Sequence, residues 1–282
     1  KAPEKIDSVI DLSGRWIVPP LGDAFCSGVS ENTSADQQLK SYLDEGVFYL
    51  QILGNTLEGR KKTTAHLQKS SGPFIAFANG GFTCTMGYPF LKYEGPANGV
   101  WTPQAVAEKY ADLKVSRKME GDAYWFVDSK AALGPIWKKI ASQKPDVISI
   151  YLLDAENSGG KETKGLTPAV AKAIVKKARR ARIPVFAHVE TAADVRLGLK
   201  LGVQGFANLP GHNWDGSGDG AKYQLSDEDL KKLAKKKTAV IPLFSHAQTK
   251  STRPGALVVQ AQLFKRLLAN GVNVVAGSDD SQ

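Results

Sequence analysis

The sequence predicts an α/β protein, specifically a (β/α)8 barrel, from three observations. Short apolar runs alternate with helical patterns along the 282 residues, which is the rhythm of a parallel α/β fold. Several runs are continuously apolar, as expected for strands covered on both faces. The helical patterns begin and end at recognisable capping residues. Eight strands with helices between them favour a barrel enclosed by its helices.

The predicted strands are the apolar runs that the helical patterns separate. They are Trp16–Val18 leading to Phe25, Val47–Leu53, Phe74–Ala78, Val147–Leu153, Val185–Val189, Gly205–Leu209, Ala239–Leu243 and Val272–Ala276. The connection from the third run to the fourth is much longer than one crossover helix requires. It contains a loop rich in glycine and aromatic residues over positions 80–89 and a helical pattern over Asp128–Gln143. Long loops in compact domains are often functional, so we expect this one to form a lid or a pocket wall.

The helix boundaries are indicated by residues with a known capping role. Thr102 and Thr167 each stand before a proline, which is a favourable start for a helix. Ser226 opens a capping-box pattern. Gly202 and Gly271 follow amphipathic runs at the point where a helix end favours a residue that tolerates positive φ.

Composition narrows the classes of partner. The net charge is +9, but the basic residues concentrate in segments 172–182 and 231–237, where they alternate with apolar positions as on the solvated face of a helix. No RNA-binding aromatic signature accompanies them, so we expect no nucleic-acid partner. The sequence has no run of eighteen apolar residues, so we also expect no membrane span. Cys26 and Cys84 leave the compartment, periplasmic or cytoplasmic, undecided, and a disulfide between them stays open.

One motif connects the chain to a known family. Residues 10–27 read IDLSGRWIVPPLGDAFCS. This stretch resembles the opening of the amidohydrolase superfamily, D-L-x-G-x-W-x-x-P-G-L-x-D-x-H-x-H, which enters the first strand of a metal-dependent hydrolase barrel. The resemblance implies that two histidines at the end of the motif bind metal. Phe25 and Ser27 occupy those two positions here, and neither side chain replaces imidazole as a ligand.

The other motif positions are partly kept. Ser149 stands where members with two metals carry a carboxylated lysine, and Asn208 stands where a second histidine is usual. His188 matches the ligand after strand five, and Asp279 matches the aspartate of G-S-D after strand eight, which the resemblance implies binds metal and accepts the proton of the attacking water. Two donors would hold a divalent ion weakly. The expected cofactor is therefore at most one divalent metal, zinc, or none.

Further side chains are expected at the same mouth of the barrel. His212 and His246 follow strands six and seven, so they belong on the side where barrel active sites lie. Together with Tyr151 and Asn208 we expect them to contact a substrate, while His188 and Asp279 provide acid–base chemistry. The alternative is that each histidine only hydrogen-bonds its own loop.

Two functions follow from these residues. The first is a divergent hydrolase of amide, cyclic amide or dipeptide C–N bonds that has lost most of its metal ligands. The second is a catalytically inactive relative that binds a small molecule. We expect one barrel domain over residues 1–282 that lacks the family's flanking β-sandwich and final helix, either as a fragment of a longer chain or closed by a partner. A small molecule is the expected partner, and a homo-oligomer is left open.

Overall fold

The computed structural model describes residues 8–27, 29, 35–69, 71–155, 164–212, 214, 220–243 and 254–279. Strands and helices alternate through most of this part of the chain. The strands are β1 Leu21–Cys26, β2 Val47–Ile52, β3 Phe74–Phe77, β4 Gly81–Thr83, β5 Tyr124–Phe126, β6 Ile148–Tyr151, β7 Val185–His188, β8 Gly205–Ala207 and β9 Ala239–Ile241. The helices are α1 Ala35–Asp44, α2 Leu57–Leu67, α3 Phe90–Ala97, α4 Pro103–Glu108, α5 Tyr110–Leu113, α6 Leu133–Ser142, α7 Pro168–Ala181, α8 Ala192–Leu201, α9 Asp227–Lys236 and α10 Pro254–Ala269.

The strands form two parallel sheets, which confirms the predicted α/β class. One sheet has the order β1-β2-β3, and the other has the order β5-β4-β6-β7-β8-β9. All pairs within them are parallel. Consecutive parallel strands require a crossover between them, and helices supply most of these crossovers.

Backbone hydrogen bonds also connect the two sheets. The amide of Asp146, just before β6, donates to Phe77 O of β3 at 2.9 Å. On the other side, Val274 forms a parallel bridge with Val240 of β9. Ala24 of β1 donates to Ala276 O at 2.9 Å. Segment 272–276 therefore lies between β9 and β1.

Two apolar clusters fill the space around these strands. The larger cluster packs the helices onto β6–β8 and includes Ile150, Ile174 and Phe206. A smaller cluster takes side chains from strands of both sheets, or from residues directly next to them. Its buried members are Phe25, Leu53, Ala78, Val147, Ala207, Ile241 and Leu243. The strands of the two sheets therefore share one interior.

Most predicted helix boundaries are confirmed. Thr102 and Thr167 accept hydrogen bonds from the amides of Ala105 and Val170 at the starts of α4 and α7. Ser226 forms a complete capping box. Gly202 ends α8 with φ of 79°, in the left-handed region that a residue without a Cβ enters most easily.

Three predictions about strands are wrong in detail. Residues 16–18 form no strand, because the Pro19–Pro20 pair that follows cannot donate to a ladder, and β1 begins at Leu21. The predicted loop over positions 80–89 contains β4, and β5 was not predicted. Both strands have only three residues, which is too short for a periodic pattern. Residues 272–276 contain only the isolated bridge at Val274.

Two further expectations concern the cysteines and membranes. Cys26 and Cys84 are both buried and neither forms a disulfide, so the Cys26–Cys84 bridge that the sequence left open is absent. In the described residues, no helix combines the length and the apolar character needed to cross a membrane.

The carboxylate of Asp23 in β1 joins the first strand to the C-terminal segment. It accepts hydrogen bonds from the Phe25 amide at 3.0 Å, the Ser278 amide at 3.1 Å and the Ser278 hydroxyl at 2.6 Å. Asp23 is only 9% exposed. These three contacts form the Asp23 junction.

Replacing Asp23 with alanine is expected to lower the free energy of unfolding by about 2–4 kcal/mol, because it leaves buried donors without an acceptor. Urea denaturation followed by circular dichroism measures the change. Asp11→Ala is the matched control, since Asp11 also accepts from a serine amide and hydroxyl but is exposed, and it should leave the unfolding midpoint unchanged. Equal effects of the two substitutions would contradict the role given to the junction.

Candidate small-molecule site at the carboxyl ends of the strands

A cavity of about 300 Å³ opens at the carboxyl ends of the parallel strands. Its wall includes all the motif positions named above except Ser149. These are Phe25, Ser27, His188, Asn208 and Asp279, and Tyr151 and His212 line it with them. The carboxyl ends of neighbouring parallel strands lie on one side of a sheet, so residues distant in sequence meet there. His246 lies outside the described residues.

His188, the last residue of β7, is held by contacts on several sides of its ring. Its Nε2 lies 3.0 Å from Ser149 Oγ on the neighbouring strand β6. The Tyr151 ring stacks on it with centroids 4.3 Å apart, and the Phe25 ring meets it edge-on at 5.3 Å. Phe25 and Ser149, which stand at positions where the motif resemblance implies metal-binding residues, thus pack against His188.

The environment keeps the His188 ring neutral. Burial is the main cause that lowers its pKa from 6.5 to about 3, and the electrostatic effects of Lys92 and His212 act in the same direction. A hydrogen bond to the Leu53 backbone opposes the shift. At neutral pH the ring therefore carries no charge.

Asp279 is fixed at the cavity wall by contacts of its own backbone and its neighbour's. Its amide donates to Phe25 O at 2.7 Å, and its carbonyl accepts from Ser27 Oγ at 3.0 Å. Its φ is 48°, in the left-handed region. Because Ser278 is held by Asp23, the strand-one motif determines where Asp279 stands.

The remaining predicted contacts lie on the same wall. Asn208 has φ of 72°, and its backbone N–H donates a hydrogen bond to Ile241 O at 3.1 Å. The His212 amide donates to Leu209 O at 3.1 Å, within its own loop. Both side chains line the cavity, so the structure brings together every predicted site residue that it describes.

A catalytic metal would need several donor side chains placed together in the cavity. Across the described ranges, no group of three or more histidine, cysteine, aspartate or glutamate side chains is placed to hold a metal ion. Catalytic zinc takes three protein ligands and a water. In addition, the Nε2 of His188 is already bonded to Ser149. The described residues do not fit a catalytic metal centre.

Cys26, which lies between Phe25 and Ser27, is unsuited to act as a nucleophile. It is fully buried, and burial together with the nearby Asp23 carboxylate raises the pKa of its thiol well above the usual range. Since the thiolate is the reactive form, this cysteine is an apolar core residue.

Several cavity residues were not predicted from the sequence. Lys92 and Tyr93 come from α3, and Lys164 comes from the segment before α7. Lys164 pairs with Glu190 at 3.5 Å. Lys92 lies on a short helix, where a lysine usually faces solvent, so no sequence pattern indicated that it lines the cavity.

Asp194 anchors two loops that shape the cavity. Its carboxylate accepts hydrogen bonds at 2.9 Å from the amides of Asp154 and Ala155 after β6, and from those of Glu190 and Thr191 after β7. The residue is fully buried and forms a capping box with Thr191. Glu190 and Leu153, which line the cavity, stand on these two loops.

Replacing Asp194 with asparagine is expected to destabilise the protein by about 2–4 kcal/mol and to loosen both loops, because an amide cannot accept all four bonds. Chemical denaturation and amide hydrogen exchange at residues 153–155 and 190–191 measure these effects. Asp229→Asn is the control, since Asp229 fills the same capping-box position in α9 but does not contact these loops. If Asp229→Asn gives the same loss of protection at those amides, the anchoring role is wrong.

The shifted pKa of His188 predicts a dependence of stability on pH. The unfolded chain takes up a proton as pH falls through 6.5, whereas the folded form stays neutral down to about 3. The unfolded state therefore binds more protons in this window, and stability falls with falling pH by on the order of 1 kcal/mol per unit. Denaturation at about pH 7, 6 and 5 should show a shallower dependence for His188→Gln than for the native chain. Parallel dependences for the two proteins would contradict this prediction.

Comparisons with known proteins place this site in a recognised fold. No protein-family model matches the chain, and no curated protein matches it in sequence. Among solved structures, molinate hydrolase superposes with a TM-score of 0.67 at 16% identity, over 98% of this chain and 64% of that one. The A. niger ochratoxinase gives 0.63 at 15%, over 93% and 63%. A Xaa-Pro dipeptidase with bound methionine gives 0.63 at 16%, over 93% and 66%.

These solved structures show the fold, and the chain spans slightly less than two thirds of the length of these three proteins. The structural similarity agrees with the motif at residues 10–27 and with Asp279 at the end of the last strand segment. The chain therefore has the fold of the amidohydrolase superfamily.

Proposed function

We propose that the chain is an eight-stranded barrel of amidohydrolase type that binds a small organic molecule in the cavity at the carboxyl ends of its strands. The barrel would consist of β1, β2, β3, β6, β7, β8, β9 and segment 272–276. The hydrogen bonds of Asp146 to Phe77 and of Ala24 to Ala276 support closure, and so does the interior cluster shared by both sheets. Ligands of barrels bind at this end of the strands.

The observation that carries the proposal is the environment of His188. The phenylalanine at the first former ligand position lies edge-on against this ring, and Ser149 at the former lysine position bonds its Nε2. A metal bound there would have to displace a buried hydrogen bond and an aromatic contact. The site has instead the character of a small-molecule pocket, with apolar aromatic walls and a few polar groups.

Hydrolysis of a C–N bond is the second candidate, because Asp279 lies at the cavity wall in the position of the family's proton acceptor. The structural neighbours include hydrolases by name. Against this candidate, the retained histidine has a pKa of about 3, far below the value near the working pH that suits a general acid or base. The binding function is therefore the better supported of the two.

Untagged protein prepared without chelators, incubated with zinc and desalted, is expected to contain well below one zinc per chain, because the described donors fall short of three. Elemental analysis by mass spectrometry measures the content. His188→Asn is the paired variant and should give the same low value. One zinc per native chain that is lost in His188→Asn would overturn the proposal and favour the hydrolase.

A further inference from the structure

Lys92 provides a positive charge at the cavity that the sequence did not indicate. It stands on α3 and lines the cavity together with Tyr93. Its Nζ lies 5.4 Å from the centroid of the Tyr93 ring. Its charge also acts on the buried His188 ring. These observations agree that the ammonium group reaches toward the cavity.

The two lysines of the cavity wall differ in their partners. Lys164 Nζ is compensated by Glu190 Oε1 at 3.5 Å. For Lys92, no carboxylate lies within salt-bridge distance in the part of the chain that the structure describes. A ligand that covers Lys92 removes water from its ammonium group, which costs free energy unless the ligand brings a compensating charge.

The other walls indicate the shape of the ligand. The Tyr88 and Tyr151 rings meet edge-to-face at 5.4 Å, and Phe25 and the neutral His188 ring extend this aromatic surface. Flat aromatic groups pack well against such walls. The volume of about 300 Å³ is at the small end of the range for ligand sites.

The cavity also limits the charge of the ligand. Glu190 and Asp279 line it as well, and each would repel a second negative charge on a bound molecule. A single negative charge placed at Lys92 satisfies both conditions.

We propose that the cavity binds a small aromatic monocarboxylate, whose carboxylate pairs with Lys92 and whose ring lies against Tyr88 and Tyr151. This inference rests on the proposed binding function and specifies its ligand class. In this proposal, Lys92 makes the cavity bind acids more tightly than their neutral analogues.

The test uses matched pairs of an acid and its neutral amide. Benzoate, phenylacetate and indole-3-acetate are each compared with the corresponding amide by calorimetry on the full chain at neutral pH. At least one acid is expected to bind about tenfold or more tightly than its amide, as a charge-assisted hydrogen bond would give. Lys92→Gln should remove this preference, mainly by weakening the binding of the acid, whereas Lys92→Arg should retain it.

Lys109→Gln is the control, because it removes the same charge from an exposed lysine that does not line the cavity. It should preserve the preference for the acid. The inference is overturned if no acid binds, if acids and amides bind equally, or if Lys109→Gln has the same effect as Lys92→Gln. The proposed binding function is tested separately by the zinc measurement. It fails if the native chain holds one zinc that is lost in His188→Asn.

Discussion

The buried carboxylate of Asp23 is the interaction on which the arrangement of the site depends. It lies in the first strand and holds the amide and the hydroxyl of Ser278 near the end of the described chain. The backbone bonds of Ala24 to Ala276 and of Asp279 to Phe25 continue the same connection. A carboxylate that accepts several hydrogen bonds in a buried site fixes its donors firmly, because the alternative leaves polar groups without partners. The first strand thereby positions Asp279, which follows segment 272–276.

The same strand also determines the character of the cavity. Phe25 follows Asp23 by two residues, so both belong to one face of β1, and both bond to the C-terminal segment, Asp23 through its carboxylate and Phe25 through its carbonyl. The Phe25 ring contacts the His188 ring edge-on, and the Tyr151 ring stacks on the face of the His188 ring. A neutral imidazole among aromatic rings presents a largely apolar surface, and its polar atoms are engaged by Ser149 and the Leu53 backbone. Phe25, which stands at a position where the motif resemblance implies a ligand, is therefore part of the cavity wall.

The fold and the site chemistry of this chain depend on different residues, for a physical reason. The fold depends on apolar periodicity, capping residues and backbone hydrogen bonds, and these are kept over nearly the whole chain, as the match to molinate hydrolase over 98% of it shows. The chemistry depends on a few side chains at the strand ends, and these can change without affecting the strands themselves. Phe25 and Ser149 lie within strands and Asn208 directly follows one, so these three residues do not interrupt the sheets.

The sequence by itself determined the α/β class, most strand and helix positions, and the presence of His188, Asp279, Asn208, Tyr151 and His212 at one mouth. It could do so because periodicity and capping act over a few residues, and because parallel strands end on one side. Tertiary structure alone decided how those side chains interact. The bond between His188 and Ser149, the Phe25 contact and the position of Lys92 join residues far apart in the chain, and no local pattern encodes such distances. Short strands such as Gly81–Thr83 also depended on tertiary structure, since pairing with neighbours, not local propensity, stabilises three residues in an extended form.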